Sequence, residues 1–327
     1  MPLINRCGGG GGTPQLCGQV ENFKAGLGNL SAILSWTAPS PDEDNSFVGA
    51  RIVRKIGSAP TGINDGTVIY EGTALTYTDT GLTAGTTYYY RAFAYNAKKK
   101  YQTEYRVASR TAVSLNPNFA DNTWEQIMEA CHSGGLLDTW VVGDSKTMTI
   151  DGTDYQFDIV GKNHDTYTAG GIAPLTFGMH DCYGTEQPMN NTNTNKGGWN
   201  LCKMRTGILP GILAKMPENI RNGIRDVNKL YAVGNSSSVT YQTTADKLFL
   251  YSDDEVYGSE SSKEGEQYDY YKAGNSKVKK VGDTASRWWL RSFQPFSVGG
   301  FYVVNTNSSL ESITADNWAG VAFAFCF

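Results

Sequence analysis

The chain has 327 residues, enough for two domains of ordinary size, each with its own core. Only 18% of the residues are charged while glycine (37) and tyrosine (19) are abundant, which suits short strands joined by many turns and excludes an architecture of long solvated helices. Of the 28 basic residues 11, and of the 32 acidic residues 8, fall within 1–114, which leaves the rest of the chain at −7; nucleic acid is excluded as a partner of so acidic a part.

No stretch approaches the ~20 apolar residues that cross a bilayer, so membrane insertion is not expected. The start, MPLINRCGGGGG, lacks the charged and apolar regions of a signal peptide. The expectation is that the protein stays where it is made or leaves as part of a particle. The cysteines, Cys7, Cys17, Cys131, Cys182, Cys202 and Cys326, form no CxxC pair, and free buried thiols are expected.

Residues 8–12 are consecutive glycines and read as a flexible tether within 1–17. From Val20 the pattern turns to short β-rich runs. Ala32-Ile33-Leu34-Ser35-Trp36 alternates in period two, followed by runs at 50–55, 67–70 and 86–95, with turn signals at 39–44, 57–65 and 81–85. Leu34-Ser35-Trp36 before Pro39, Tyr70-Glu71-Gly72, Tyr77-Thr78-Asp79 and Leu82-Thr83-Ala84-Gly85-Thr86-Thr87-Tyr88 together resemble a fibronectin type III domain. The resemblance covers 18–114 and implies an all-β immunoglobulin-like sandwich. In it Trp36 takes the core position and Tyr88 the corner whose hydroxyl bonds back to the backbone. Lys98-Lys99-Lys100 reads as a solvated turn.

Beyond Pro117, Thr123 caps an amphipathic helix with Trp124, Ile127, Met128 and Cys131 on one face, and Gly134-Gly135 stops it. Asp151-Gly152 between alternating runs (146–150 and 155–160) predicts a two-residue hairpin. A second helical stretch is expected over 209–230, interrupted at Pro217. The polar segment 258–282 reads as an exposed insertion. Trp288-Trp289-Leu290-Arg291-Ser292, a strand at 301–304 and Gly320-Val321-Ala322-Phe323-Ala324-Phe325-Cys326-Phe327 close the chain.

Trp140-Val141-Val142-Gly143-Asp144, the Asp151-Gly152 hairpin, Gly161-Lys162-Asn163-His164-Asp165, Leu248-Phe249-Leu250-Tyr251-Ser252, the Trp-Trp-Leu-Arg-Ser run and the apolar final strand resemble the C-type-lectin-fold variable proteins of diversity-generating retroelements. These include receptor-binding proteins of phage tails. The resemblance covers 115–327 and implies an α+β C-type-lectin-like fold whose segment before the final strand carries ligand specificity. Such a protein sits on a virion tail or a cell surface. It binds a host-cell surface protein or glycan, joins the tail or surface assembly through its N-terminus, and leaves room for a homo-oligomer. A structural tail component without external ligand is the alternative.

The residues agree with a display segment. Between two apolar anchors, 293–318 offers Phe293, Gln294, Phe296, Ser297, Tyr302, Asn307, Ser309, Glu311, Asp316, Asn317 and Trp318, aromatic and small polar groups mixed as in paratopes. These are the expected ligand-binding residues, and those pointing outward are expected to form one exposed patch. Gln294, Glu311 and Trp318 stand outside what adenine substitution in Asn codons reaches, so the diversified set implied by the resemblance leaves them out. Trp288 and Trp289 are expected on opposite faces of a strand, one in the core and one under the loop, with Arg291 in a structural ion pair.

No catalytic role is expected. Gln187-Pro188-Met189 and Asp316-Asn317-Trp318 depart from the calcium-dependent sugar motifs, so no metal or cofactor is expected. His164-Asp165 and His180-Asp181 lack metal-ligand spacing and read as hairpin hydrogen-bonding groups. Cys182 and Cys202, the one semi-plausible reactive couple, have no electropositive setting.

Overall fold

A computed structural model of the protein describes residues 17–39, 46–235, 238–258, 263–294 and 297–327. The glycine run at 8–12, Cys7 and Phe296 lie outside the described residues. The chain divides into two compact units: one reaches Leu115 and includes Ser133–Gly135, the other comprises Asn116–His132 and Leu136–Phe327.

The first unit is a sandwich of two antiparallel sheets. Its strands are β1 (Glu21–Gly28), β2 (Ser31–Thr37), β3 (Phe47–Ile56), β4 (Thr67–Gly72), β5 (Thr76–Asp79), β6 (Thr87–Asn96) and β7 (Arg106–Thr111). They are ordered β1-β2-β5 and β4-β3-β6-β7. Period-two burial on β2 turns Ala32, Leu34 and Trp36 inward and Ser35 and Thr37 to solvent. Trp36 meets Phe23 edge-on at 6.0 Å and Tyr70 at 5.6 Å. The Tyr88 hydroxyl accepts from the Thr83 amide at 3.1 Å, the expected corner. Lys99 has a φ of 55° and its ammonium meets Glu71 at 2.5 Å, so the lysine run is an exposed turn with an ion pair.

Among the described residues the second unit has fourteen strands: β8 (Ser145–Ile150), β9 (Thr153–Lys162), β10 (Leu175–Met179), β11 (Tyr183–Pro188), β12 (Val227–Asn235), β13 (Ser238–Asp246), β14 (Phe249–Leu250), β15 (Lys279–Val281), β16 (Thr284–Ser286), β17 (Trp288–Phe293), β18 (Gly300–Val304), β19 (Leu310–Thr314), β20 (Trp318–Val321) and β21 (Phe323–Cys326). Two five-stranded sheets, β14-β21-β10-β9-β8 and β11-β20-β17-β18-β19, are accompanied by the hairpins β12-β13 and β15-β16. Its helices are α1 (Trp124–Ser133), α2 (Gly198–Leu201), α3 (Leu209–Lys215, entered through a π-helical turn at Met204–Ile208), α4 (Glu218–Gly223), α5 (Asp253–Tyr257) and α6 (Asp269–Lys272).

Thr123 and Gln126 form a reciprocal cap on α1: Thr123 Oγ1 accepts from the Gln126 amide at 3.2 Å and Gln126 Oε1 from the Thr123 amide at 2.8 Å. The helix buries Trp124, Ile127 and Cys131, and Trp124 stands edge-on to Phe177 at 5.4 Å and tilted against Phe325 at 6.2 Å. Asp151 and Gly152 both have positive φ, 52° and 78°, as the predicted two-residue hairpin requires.

Three expectations are corrected. The helical stretch ends at Gly223, and 227–230 belongs to β12, because Val227-Asn228-Lys229-Leu230 alternates and pairs in register with β13. The described part of 258–282 is not simply exposed: its tyrosines Tyr268 and Tyr271 are buried, each edge-on to Tyr251. Trp288 and Trp289 are both core residues, their indole nitrogens donating to the carbonyls of Lys277 at 2.8 Å and Gln187 at 2.7 Å.

Candidate ligand-presenting surface

The surface is built from β17 outward. All six residues of β17 are buried, including Arg291. Burying a guanidinium is tolerable only with complete hydrogen bonding, and Arg291 has it. Its Nη1 and Nη2 form a fork on Glu255 at 2.5 and 2.8 Å. It also donates to the carbonyls of Leu230 at 2.9 Å, Leu250 at 2.8 Å and Glu264 at 2.6 Å. Glu255 serves twice, because it also completes a capping box with Ser252 at the start of α5. The expected structural ion pair of Arg291 is present.

The network continues inward. Lys229 Nζ lies 2.6 Å from Glu255 and 2.8 Å from Asp165, which also accepts from Tyr268 at 2.8 Å and Thr176 at 2.6 Å. Burial pushes the Asp165 carboxyl up, but the Lys229 charge and these hydrogen bonds outweigh it and hold the group at about 2. Burial likewise opposes ionisation of Glu255, and Arg291 and Lys229 bring it below the usual carboxylate range. Glu264 differs: burial dominates and raises it to about 7, although Arg291 draws it down.

On this base stands the hairpin β18–β19, with Tyr302 opposite Ser312 and Val303 opposite Glu311. Tyr302 is half-buried. Its phenol is raised above its ordinary value by burial, and then by Asp253 and Glu264 beneath it. At one end of the hairpin, residues 305–309 form a closed turn. The Asn305 amide donates to Ser309 O at 2.8 Å, and Asn307 Oδ1 accepts from the Ser309 amide at 2.9 Å. At the other end, the turn 314–317 is tied by Thr314 Oγ1, which donates to Asp316 at 2.7 Å and accepts from Asn317 at 2.9 Å. Gln294 and Ser297 lie at this second end too, where buried Asn195 donates to the Ser297 carbonyl at 2.7 Å.

The sequence-predicted residues therefore separate into two groups. Asn307 and Ser309 are at the turn, whereas Gln294, Ser297, Asp316 and Asn317 are at the far end, a five-residue strand or roughly 13 Å away. Glu311 is exposed on the edge strand between them, and Trp318, 54% exposed, opens β20 opposite Pro188. Phe293 is corrected: at 4% exposure and paired across the strands with Phe301, it is core. Two exposed apolar residues were missed, Leu310 and Val298, the latter 87% exposed. Val298 has a sequence signal, a β-branched residue immediately before Gly299-Gly300 in a polar loop; Asn195, about a hundred residues away, has none.

The other candidates resolve as supporting groups. His164 stacks on Tyr268 at 3.9 Å, and His180 pairs with Asp158 at 2.8 Å rather than with its neighbour Asp181. The hydrogen bond to Asp158 raises the His180 imidazole above its ordinary value. The five described cysteines are free and buried, and burial pushes Cys182 and Cys202 up to about 12, too high to act as thiolates. Among the described residues no group of three His, Cys, Asp or Glu side chains is placed to hold a metal ion.

Residues 173–327 match the model of a domain of unknown function, DUF6273. No curated protein matches the chain. Similar solved structures include a computationally redesigned β-sandwich protein, at 22% identity over 30% of this chain and 93% of that one, with a TM-score of 0.24. They also include two human fibronectin type III domains from fibronectin type III domain containing protein 3. One is 17% identical over 35% of this chain and 100% of the other, with a TM-score of 0.27. The second is 18% identical over 33% and 93%, with a TM-score of 0.24.

Proposed function

We propose that the protein is a non-enzymatic receptor-binding protein of a phage tail or similar surface assembly, whose second unit is a C-type-lectin-like domain presenting the 293–318 segment to a host-cell surface protein or glycan. The fibronectin type III-like first unit acts as the spacer. One observation carries this reading. Each of the two turns carries side-chain hydrogen bonds of its own and is tied to the rest of the unit through backbone atoms, Tyr257 donating to the Ser308 carbonyl and the Asn190 amide to the Ala315 carbonyl, both at 2.8 Å, while the strands that frame them, β17 before and β20 and β21 after, are almost wholly buried. Side chains on such turns can change without disturbing the core, and their mixture of amides, hydroxyls and an exposed indole suits recognition.

The test replaces Gln294, Asn307, Glu311, Asp316 and Trp318 together by serine or alanine and measures attachment of the labelled full chain to cells of the particle's host. Loss of attachment with an unchanged melting temperature is expected. A folded variant that still attaches would move the site elsewhere and favour a structural role. A reverse transcriptase gene and a near-copy of the coding sequence of this segment beside the gene would mark diversification.

A further inference from the structure

Away from the β17–β19 surface, the second unit has an open trough of about 500 Å³ between the β8–β9 turn, β11 and the π-helical turn with α3. Tyr155 on β9 and Tyr183 on β11, both half-exposed, stack within it with ring centroids 4.9 Å apart and planes 28° apart. The pair is held from behind. The Tyr155 hydroxyl accepts from the Gly184 amide at 3.1 Å, and Tyr183 leans on buried Phe323 at 6.3 Å. Such rings form a preorganised platform that loses little freedom on binding.

The facing wall combines two glycines with Ile208 and Ile212. Gly207 and Gly211 stand one helical turn apart, neither with positive φ; a Cβ added at Gly211 would meet nothing within 4 Å, and one at Gly207 only the Lys203 side chain at 4.0 Å. Glycine inside a helix costs roughly 0.5–1 kcal/mol against alanine, and neither backbone conformation nor packing requires it here. Its effect is to keep the trough open. On the rim Lys215 and Asp151 neutralise each other at 2.8 Å. A second cavity of about 530 Å³ adjoins the first and shares Thr153, Tyr155, Gly184 and Thr185 with it.

We propose that this trough binds a neutral oligosaccharide. A sugar ring stacks its C–H face on the tyrosine platform, and its hydroxyls exchange hydrogen bonds with Asp151, Lys215 and Gln187. The class follows from the lining. The paired rim charges offer no surplus cation to an anionic ligand. The openness disfavours a small apolar molecule, which needs enclosure. Amphipathic tyrosines beside groups that both donate and accept match a polyol with one apolar face, and two adjoining cavities suit consecutive units of a chain. No residue of 293–318 lines the trough, although β11 pairs with β20 and sets Pro188 opposite Trp318, and the proposal does not depend on that reading.

The experiment titrates the full-length protein with short linear oligomers of glucose, mannose, galactose and N-acetylglucosamine by calorimetry. At least one should bind, and Tyr155→Ala and Gly211→Leu should each weaken it by about tenfold or more, equivalent to ~1.4 kcal/mol. Gly211→Leu is the decisive variant because a Cβ there meets nothing within 4 Å, and removing a helix glycine should leave the melting temperature no lower than the parent's. Trp318→Ala should bind the oligomer as the parent does. The proposal is overturned if none of these oligomers binds, if Gly211→Leu binds as tightly as the parent, or if Trp318→Ala abolishes binding.

Discussion

At the scale of single residues, the buried charges under the β18–β19 hairpin are what most distinguish this protein from an ordinary hydrophobic core. Arg291 and Lys229 share Glu255, so Glu255→Gln leaves two buried cations short of a partner. The loss should be roughly 3–5 kcal/mol in urea unfolding, far more than the ~0.5 kcal/mol typical of a surface exchange. Glu264 acts in the opposite sense. Its folded value of about 7 lies above the 4.5 of an unperturbed glutamate, so between these the folded state holds the extra proton and stability falls as pH rises from about 4.5 to 7. Glu264→Gln should flatten that slope and leave the variant more stable than the parent at pH 8, by up to roughly 3 kcal/mol. Equal urea midpoints for the two proteins at pH 8 would remove Glu264 as the source. Asp165, held at about 2, stabilises above its ordinary 3.8, and that contribution is lost as pH falls through 2, so the two windows do not overlap. Of this network only the pairing of Arg291 was legible in the sequence. Lys229, Asp165 and Glu264 come from three distant segments and carry no mutual spacing.

At the scale of elements, legibility tracks how local the determining signal is. The β8–β9 turn was readable because two adjacent residues specify it; Gly152→Val, at a φ of 78°, should lower stability by about 1–2 kcal/mol, seen as a fall in melting temperature with the fold retained. The cap of α1 and the alternation of β2 were readable for the same reason. In contrast β1 and β7 escaped. A register shift between Glu21 and Lys24 breaks the alternation of β1, and β7 is a short edge strand whose residues are mostly exposed. The hairpin β12–β13 was hidden because its first residues continue a helical apolar spacing until pairing overrides it. For the 293–318 segment, the anchors and most exposed residues were legible, but its division into two ends was not. A hairpin's length separates residues that are close in sequence, and composition does not show where the strands run.

At the scale of the whole molecule, the two units carry separate cores, and the first is centred on Trp36. Expressed alone, residues 18–113 and 118–327 should each melt cooperatively; aggregation of the second piece, with the full chain soluble, would mean that the boundary cuts a shared core. EDTA should shift neither melting temperature, and a fall beyond roughly 5 °C, on the order of 1 kcal/mol, would reveal a structural ion.

The placement of β21 has a kinetic consequence. It lies between β10 and β14, and its Cys326 is the partner of Thr176, 150 residues earlier. Closing so large a loop before any ladder energy is returned makes that sheet slow to form, whereas the hairpin contacts of the first unit span far fewer residues. Refolding from urea should therefore show a fast phase reported by Trp36 and a slower one reported by Trp124, which packs on Phe325 at 6.2 Å. During that interval β10 waits with an open edge. Yield on refolding should fall with protein concentration, and more steeply for the second unit than for the first.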